Sequence, residues 1–354
     1  MNLFIQISYK LFLLLSFTQC IRCENILELA ENTDKFDFEQ ACPDADDIYP
    51  CECIFNDWKN TMNLNCTMVE GEDELAQVFS SLPSLNFDSL VMSENRNVKI
   101  LKAGVFGSVT FKELSFTWGV LEEVEAGALD GSMKTATSME FDANHISIFP
   151  FETIEGFTNL TYLSLVRNDI AVFPIISSQS LTALIMVWNP LGNFPADAFE
   201  NLPSLSFIEL GYTDVVSIEP GAFSNLGELN EIELDFNLLS HLPTGAFTTS
   251  SSQLTSISLG HNQIWDVQPG AFEAVNGMRI SLTKNYLTVL TEEVWRPLVE
   301  ANVSLALFGN PLKCGCDLAW LVLEPELMNQ VDEISQCADG VYLHDLDPGL
   351  FEDC

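Results

Sequence analysis

"LTYLSLVRNDIAVF", residues 160–173, places apolar side chains at Leu160, Leu163, Leu165, Ile170 and Phe173 and interrupts them with Asn168. Leu163 and Leu165 alternate as in a strand, where successive side chains point to opposite faces. The stripe then stops for a polar residue and resumes at irregular spacing. The same arrangement returns along the chain. It appears as Leu90, Met92, Asn95; as Leu114, Phe116, Gly119; as Met139, Phe141, Asn144; and as Leu184, Met186, Asn189. It continues as Ile208, Leu210, Thr213; Ile232, Leu234, Asn237; Ile257, Leu259, Asn262; Ile280, Leu282, Asn285; and Leu305, Leu307, Asn310. The polar column recurs at intervals of 21 to 25 residues, and eight of its ten members are Asn.

A fixed period of this length marks a repeat architecture in which each unit stacks on its neighbours. The spacing is that of the leucine-rich repeat, L-x-x-L-x-L-x-x-N-x-L. Each unit lays down one short strand, the leucines point inward, and the chain leaves the strand by a turn inside the core. An unpaired amide there costs roughly 1–3 kcal/mol. Asn carries both donor and acceptor and can satisfy the turn and its neighbour. Gly119 and Thr213 break the column, and weaker turns are expected at those two places. The back of each unit repeats as well. "KAGVF", "PADAFENL", "EPGAFSNL", "PTGAF" and "QPGAF" place Phe106, Phe199, Phe223, Phe247 and Phe272 at matching positions. These rings should form a spine, and the Pro-x-Gly-Ala-Phe form predicts a turn followed by a short helical segment. "PIISSQS", residues 174–180, is too short for a helix, and "TTSSSQ", residues 248–253, reads as a small polar bulge.

The expected fold is therefore α/β: a leucine-rich repeat solenoid with a curved parallel sheet and an irregular or short-helical convex side. A solenoid exposes its core at both ends unless something covers it. Cys42, Cys51, Cys53 and Cys66 precede the repeats, and Cys314, Cys316, Cys337 and Cys354 follow them. Within the second group Trp320 and Leu321 have the character of an apolar plug. The organisation expected is a signal peptide at 1–23, an acidic segment at 24–41 and a cysteine-rich cap at 42–86. About ten repeats at 87–309 and a second cap at 310–354 complete it.

The first residues carry a lone Lys10, an apolar run from Leu11 to Phe17, and small or polar residues after it. That is the layout of a secretory signal, with cleavage after Cys20 or Cys23, and it is too short to span a bilayer. No later stretch has transmembrane length, and no hydrophobic tail marks a lipid anchor. Secretion makes disulfides the expected use of the cysteines, with zinc the weaker reading of Cys-x-Cys. Four cysteines allow three pairings, so spacing alone leaves the pairing of each group open.

Composition narrows the function. Among 354 residues, 51 are acidic and 14 basic, 47% are hydrophobic and 18% charged, which suits a large core and argues against disorder. So acidic a surface repels nucleic acid and anionic lipid. The four histidines, His145, His241, His261 and His344, form no metal-binding or nucleophilic pattern, and no phosphate-binding glycine loop occurs. Glu209 with Glu233 is the one pair that could suggest glycoside hydrolysis, and Asp44, Asp46 and Asp47 could suggest calcium, although their spacing matches no ligand loop. No catalytic residue, cofactor or metal is expected.

Binding is the remaining class. The residues just before the polar column include Trp118, His261 and, in three consecutive units, Trp188, Tyr212 and Phe236. If strand alternation sets them on the concave face, strands about 4.8 Å apart make these three rings contiguous. Phe207, Glu209, Glu231, Glu233 and Asp235 lie beside them. An aromatic ridge with an acidic flank suits a partner protein with a basic or apolar-tipped surface. Glycosylation sequons stand at Asn65, Asn159 and Asn302.

Both cysteine groups resemble the disulfide caps of extracellular leucine-rich repeat proteins. The resemblance covers residues 42–354 and implies Cys42–Cys53, Cys51–Cys66, Cys314–Cys337 and Cys316–Cys354. Within that class, the acidic segment "ACPDADDIYPCECIFND" and the order of repeats resemble the non-catalytic subunits of crustacean luciferin 2-monooxygenases. That resemblance implies a secreted, non-catalytic protein supporting a small oxygenase subunit. The alternative is a free-standing matrix or innate-immune protein that binds glycan or a microbial ligand.

Overall fold

Ten consecutive units present one apolar side chain each at the same register, and a computed structural model, which describes residues 42–354, lines them up as a ladder. The signal peptide and the segment at 24–41 lie outside the described residues. Among the described residues, helix α1 (Ala45–Ile48) leads into β1 (Glu52–Asn56) and β2 (Thr61–Asn65), which pair antiparallel. Helix α2 (Glu72–Ser80) precedes β3 (Asn86–Ser93), β4 (Ile100–Leu101), β5 (Thr110–Thr117), β6 (Glu123–Val124) and β7 (Ser138–Glu140). Next come β8 (Tyr162–Ser164), β9 (Ala183–Ile185), β10 (Phe207–Glu209), β11 (Glu231–Glu233), β12 (His241–Leu242) and β13 (Ser256–Ser258). The chain continues through β14 (Asp266–Val267), β15 (Arg279–Ser281), α3 (Glu292–Glu300), β16 (Ser304–Ala306), α4 (Ala319–Val322) and α5 (Pro325–Met328).

Twelve strands form one sheet in the order β1-β2-β3-β5-β7-β8-β9-β10-β11-β13-β15-β16, and every pair after the first is parallel. Leu90, Leu114, Met139, Leu163, Leu184, Ile208, Ile232, Ile257, Ile280 and Leu305 sit opposite one another across it. All ten are buried. The polar column is buried with them and behaves as its chemistry demands. Asn168 donates from Nδ2 to the carbonyl of Leu165 in its own unit and of Phe141 in the preceding one, at 3.1 and 2.9 Å. Its Oδ1 accepts from Ile146 N, also in the preceding unit, at 3.0 Å. One side chain thus closes its own turn and ties two units together.

The two exceptions are built differently. Thr213 donates its hydroxyl to Leu210 O at 2.8 Å and gives its amide to Asn237 Oδ1 at 3.1 Å. At Gly119 the space of a side chain has been taken up. An added Cβ would lie 2.7 Å from Asn144 Oδ1 and 2.9 Å from Asn95 O. With no side-chain oxygen arriving from position 119, Asn97 N and Val98 N donate instead to Oδ1 of Asn95 in their own loop.

The back of the solenoid corrects one expectation and sharpens another. The Pro-x-Gly-Ala-Phe segments run as hydrogen-bonded turns, not as helices. Gly221, Gly245 and Gly270 take φ of 83°, 80° and 73°, a left-handed conformation that stops a helix before its first turn is complete. "TTSSSQ" exposes Ser250, Ser252 and Gln253 and turns its other hydroxyls inward. Thr249 and Ser251 are buried, and their hydroxyls donate to Leu226 O and Leu229 O at 2.9 and 2.6 Å. The aromatic spine runs unbroken from Phe199 through Phe223 and Phe247 to Phe272, with ring centroids 5.2–5.7 Å apart. Phe106 instead belongs to a second cluster with Phe79, Phe111 and Phe116.

Disulfides Cys51–Cys66, Cys314–Cys337 and Cys316–Cys354 close the two ends, and Cys42 and Cys53 are also disulfide-bonded. Trp320 and Leu321 plug the far end, with the indole N–H of Trp320 donating to Leu290 O at 3.0 Å. Helix α3, on the back of the last repeat, buries Val294, Trp295, Leu298 and Val299 against the same core.

Candidate functional site

The residues just before the polar column are not strand residues. Glu94, Trp118, Ala143, Arg167, Trp188, Tyr212, Phe236, His261 and Lys284 all have φ between 53° and 59°. The expectation that strand alternation places them is therefore corrected: they occupy the turn that ends each strand. Non-glycine residues seldom adopt this conformation. Here hydrogen bonds hold it, because each amide donates to a carbonyl of the next unit. Trp188 N bonds Gly211 O at 3.1 Å, Tyr212 N bonds Asp235 O at 3.2 Å and Phe236 N bonds Gly260 O at 2.9 Å. A buried ladder thus dictates the backbone of the column and leaves its side chains free to differ.

Four consecutive members are rings, and they stack. Trp188 and Tyr212 lie 3.8 Å apart at 9°, Tyr212 and Phe236 4.3 Å apart at 9°, and Phe236 and His261 4.0 Å apart at 16°. Trp188, Tyr212 and Phe236 are therefore side by side as expected. His261, not counted among the binding residues at first, extends the stack by one ring, although its place in the column already carried that signal. Trp118 stands apart. It is separated from Trp188 by Ala143 and Arg167, and the Arg167 guanidinium lies 5.7 Å from its ring.

The carboxylates occupy the strands. Phe207 and Glu209 on β10 sit opposite Glu231 and Glu233 on β11, all half-buried on the face away from the leucines. Partial burial, then the charges of Glu209, Glu231 and Asp235, push Glu233 up to about 7. Burial and the neighbouring Glu231, Asp142 and Asp235 raise Glu209 as well. Asp235 is not free in the way its neighbours are. It accepts from Ser258 Oγ at 2.8 Å and from Gly260 N, bonds that pin the next unit. Asp142 does the same two residues before its own Asn, accepting from Ser164 Oγ at 2.7 Å and Val166 N at 2.9 Å. The sequence signal for this role was Asp two residues before Asn in "DAN" and "DFN".

Among the described residues no group of three or more His, Cys, Asp or Glu is arranged to hold a metal ion. Asn65, Asn159 and Asn302 are all exposed. No helix among the described residues is long and apolar enough to cross a membrane. The site presents a column of stacked flat rings beside half-buried carboxylates.

The leucine-rich repeat family model matches residues 179–239 and 227–279. A solved chain in the octameric complex of Latrophilin 3, Unc5D and FLRT2 superposes with a TM-score of 0.65 at 20% identity, over 80% of this chain and 87% of that one, which bears on the fold alone. The chain is 36% identical over 315 residues to the Oplophorus-luciferin 2-monooxygenase non-catalytic subunit of Oplophorus gracilirostris, covering 88% of this chain and 87% of the relative. With its repeats, its cysteine-bridged ends and a relative that is itself named non-catalytic, the chain belongs to the leucine-rich repeat family of that non-catalytic subunit.

Proposed function

We propose that this protein is a secreted, non-catalytic accessory subunit that grips a partner protein with the ring stack and the concave carboxylates of its repeats. The observation that carries this reading is the stack of Trp188, Tyr212, Phe236 and His261, exposed at Trp188 and Phe236 and part-buried at the other two, beside Glu209, Glu231 and Glu233. Trp188 keeps half of its surface, 51%, open to solvent, although it stacks on Tyr212. Flat aromatic groups with two rotatable bonds lose little entropy on contact and dominate protein interfaces. The carboxylates add the complementary charge for lysine or arginine on the partner and speed encounter at low salt. The relative's name supports a small catalytic oxygenase subunit as the partner. Secretion and glycosylation at Asn159 and Asn302 accord with the disulfides and the exposed sequons.

The experiment is affinity capture on the native secretion, followed by titration of the captured subunit. Trp188→Ala with Tyr212→Ala is expected to weaken the complex by about 2 kcal/mol, roughly 30-fold in Kd. An unchanged Kd would remove the ring stack from the interface. Capture of polysaccharide with no protein would favour the free-standing recognition reading instead.

A further inference from the structure

The ring column has a gap. At Ala143 and Arg167 the backbone keeps its ladder, with Ala143 N bonded to Val166 O at 2.7 Å and Arg167 N to Val187 O at 2.8 Å. The side chains there supply no ring, and a hollow of about 450 Å³ opens between Trp118 and Trp188. Trp118 is 61% exposed and Trp188 51%. Three repeat steps at about 4.8 Å separate the two column positions by roughly 14 Å. The Arg167 guanidinium takes the part nearest Trp118, at 5.7 Å from its ring. Ala143, the Arg167 side chain, Asp169 and Trp188 line the rest of the hollow, whose volume admits one aromatic ring. Asp169, the carboxylate at the rim, is turned toward His145 at 3.4 Å and leaves the guanidinium unclaimed.

We propose that this hollow is a socket for one aromatic side chain of the partner protein, which enters between Arg167 and Trp188 and continues the ring stack. The inference rests on the partner-binding reading above and names its anchor. A guanidinium and an indole facing each other favour a π face, by cation attraction on one side and stacking on the other. A pyranose would stack on Trp188 but would give the cation no π face. The acidic surroundings, Asp142 and Glu140 among them, disfavour an anionic sugar.

The test uses the full secreted chain and N-acetyl-tryptophanamide as the probe, with binding read by saturation-transfer NMR and titration. Saturable binding is expected, together with no binding of methyl glucoside or N-acetylglucosamine. Ala143→Phe should fill the socket from within and lower probe affinity about tenfold. The same turn already carries Trp, Tyr and Phe in other units at the same φ, so the variant should melt with the wild type. Arg167→Ala should lower probe affinity about threefold. No saturable binding, binding that survives Ala143→Phe, or a preference for the glycoside would each overturn the proposal. These readouts need no partner, so they separate the failure of the socket from the failure of the subunit reading.

Discussion

Asn237 and Phe236 are neighbours in sequence and opposites in use. Asn237 is buried and its side chain serves two units: Nδ2 donates to Leu210 O and Leu234 O, and Oδ1 accepts from Thr213 N and Val215 N. Phe236 is exposed and its side chain touches other rings of its own column, Tyr212 and His261. The same contrast runs through the repeat. The Asn column hardly varies, because its chemistry is set by backbone groups that every unit presents. The column before it ranges over Glu, Trp, Ala, Arg, Tyr, Phe, His and Lys, because only its backbone is constrained. The fold is held by the invariant column, and whatever is specific to this protein is displayed on the other.

The comparison breaks first if the ladder proves dispensable. Asn237→Ala leaves the buried amides of Thr213 and Val215 without a partner, while Leu210 O and Leu234 O keep Thr213 Oγ1 and Asn262 Nδ2, and the expected cost is about 2 kcal/mol or more. Urea unfolding followed by circular dichroism should show it as a shifted midpoint. A loss under about 1 kcal/mol would mean that water or a backbone shift satisfies the turn, and that the column is not structural. The second break is the converse. Trp188→Ala with Tyr212→Ala should change the midpoint by no more than about 1–2 kcal/mol, since Trp188 is half open to solvent and Tyr212 is part-buried only by its stacking neighbours, while the partner's Kd rises as stated above. A large loss of stability would make the stack a packing device.

A third variant sharpens the rule about the ladder itself. Restoring the consensus with Gly119→Asn looks stabilising from the sequence. The structure reverses the expectation, because Asn144 Oδ1 and Asn95 O have closed on the vacant space at 2.7 and 2.9 Å from where the Cβ would stand. A destabilisation of about 1–2 kcal/mol is expected, the usual cost of overfilling a packed site. Stabilisation in a thermal melt would show that the neighbouring units can still readmit the missing amide.

The period made the fold legible. Strands, buried leucines, Asn ladder and cysteine-bridged ends all follow from residues that repeat, and repetition averages away local ambiguity. What did not repeat was read less well. The helical segments expected in the Pro-x-Gly-Ala-Phe stretches are replaced by turns because Gly221, Gly245 and Gly270 take a left-handed φ, and a glycine's φ is invisible in sequence. "TTSSSQ" reads in sequence as a small polar bulge, which does not say which of its hydroxyls turn inward. Thr249 and Ser251 went inside because open carbonyls of the preceding unit were waiting there. At the site, three rings in register were visible. Their place on a turn, the fourth ring at His261 and the slot beside Arg167 depend on backbone geometry and on spacing across units.

The smallest expected effect tests the carboxylates. Folded Glu233 holds its proton up to about pH 7, against an ordinary value of 4.5. The neutral form therefore favours the free folded chain below pH 4.5, and that advantage is lost as pH rises through 7. Because the side chain is partly open to solvent, screening reduces the effect to about 1 kcal/mol. A basic partner reverses the preference, since a cation beside Glu233 favours the charged form. Complex formation should release close to one proton at about pH 6 and about half of one at pH 7, and affinity should climb as pH rises to about 7 and level off above it, while the free chain loses a little stability. Glu233→Gln should flatten both trends at once. Affinity that falls over that range, or a slope untouched by the substitution, would place the partner's positive charge elsewhere and leave the rings as the only shared surface.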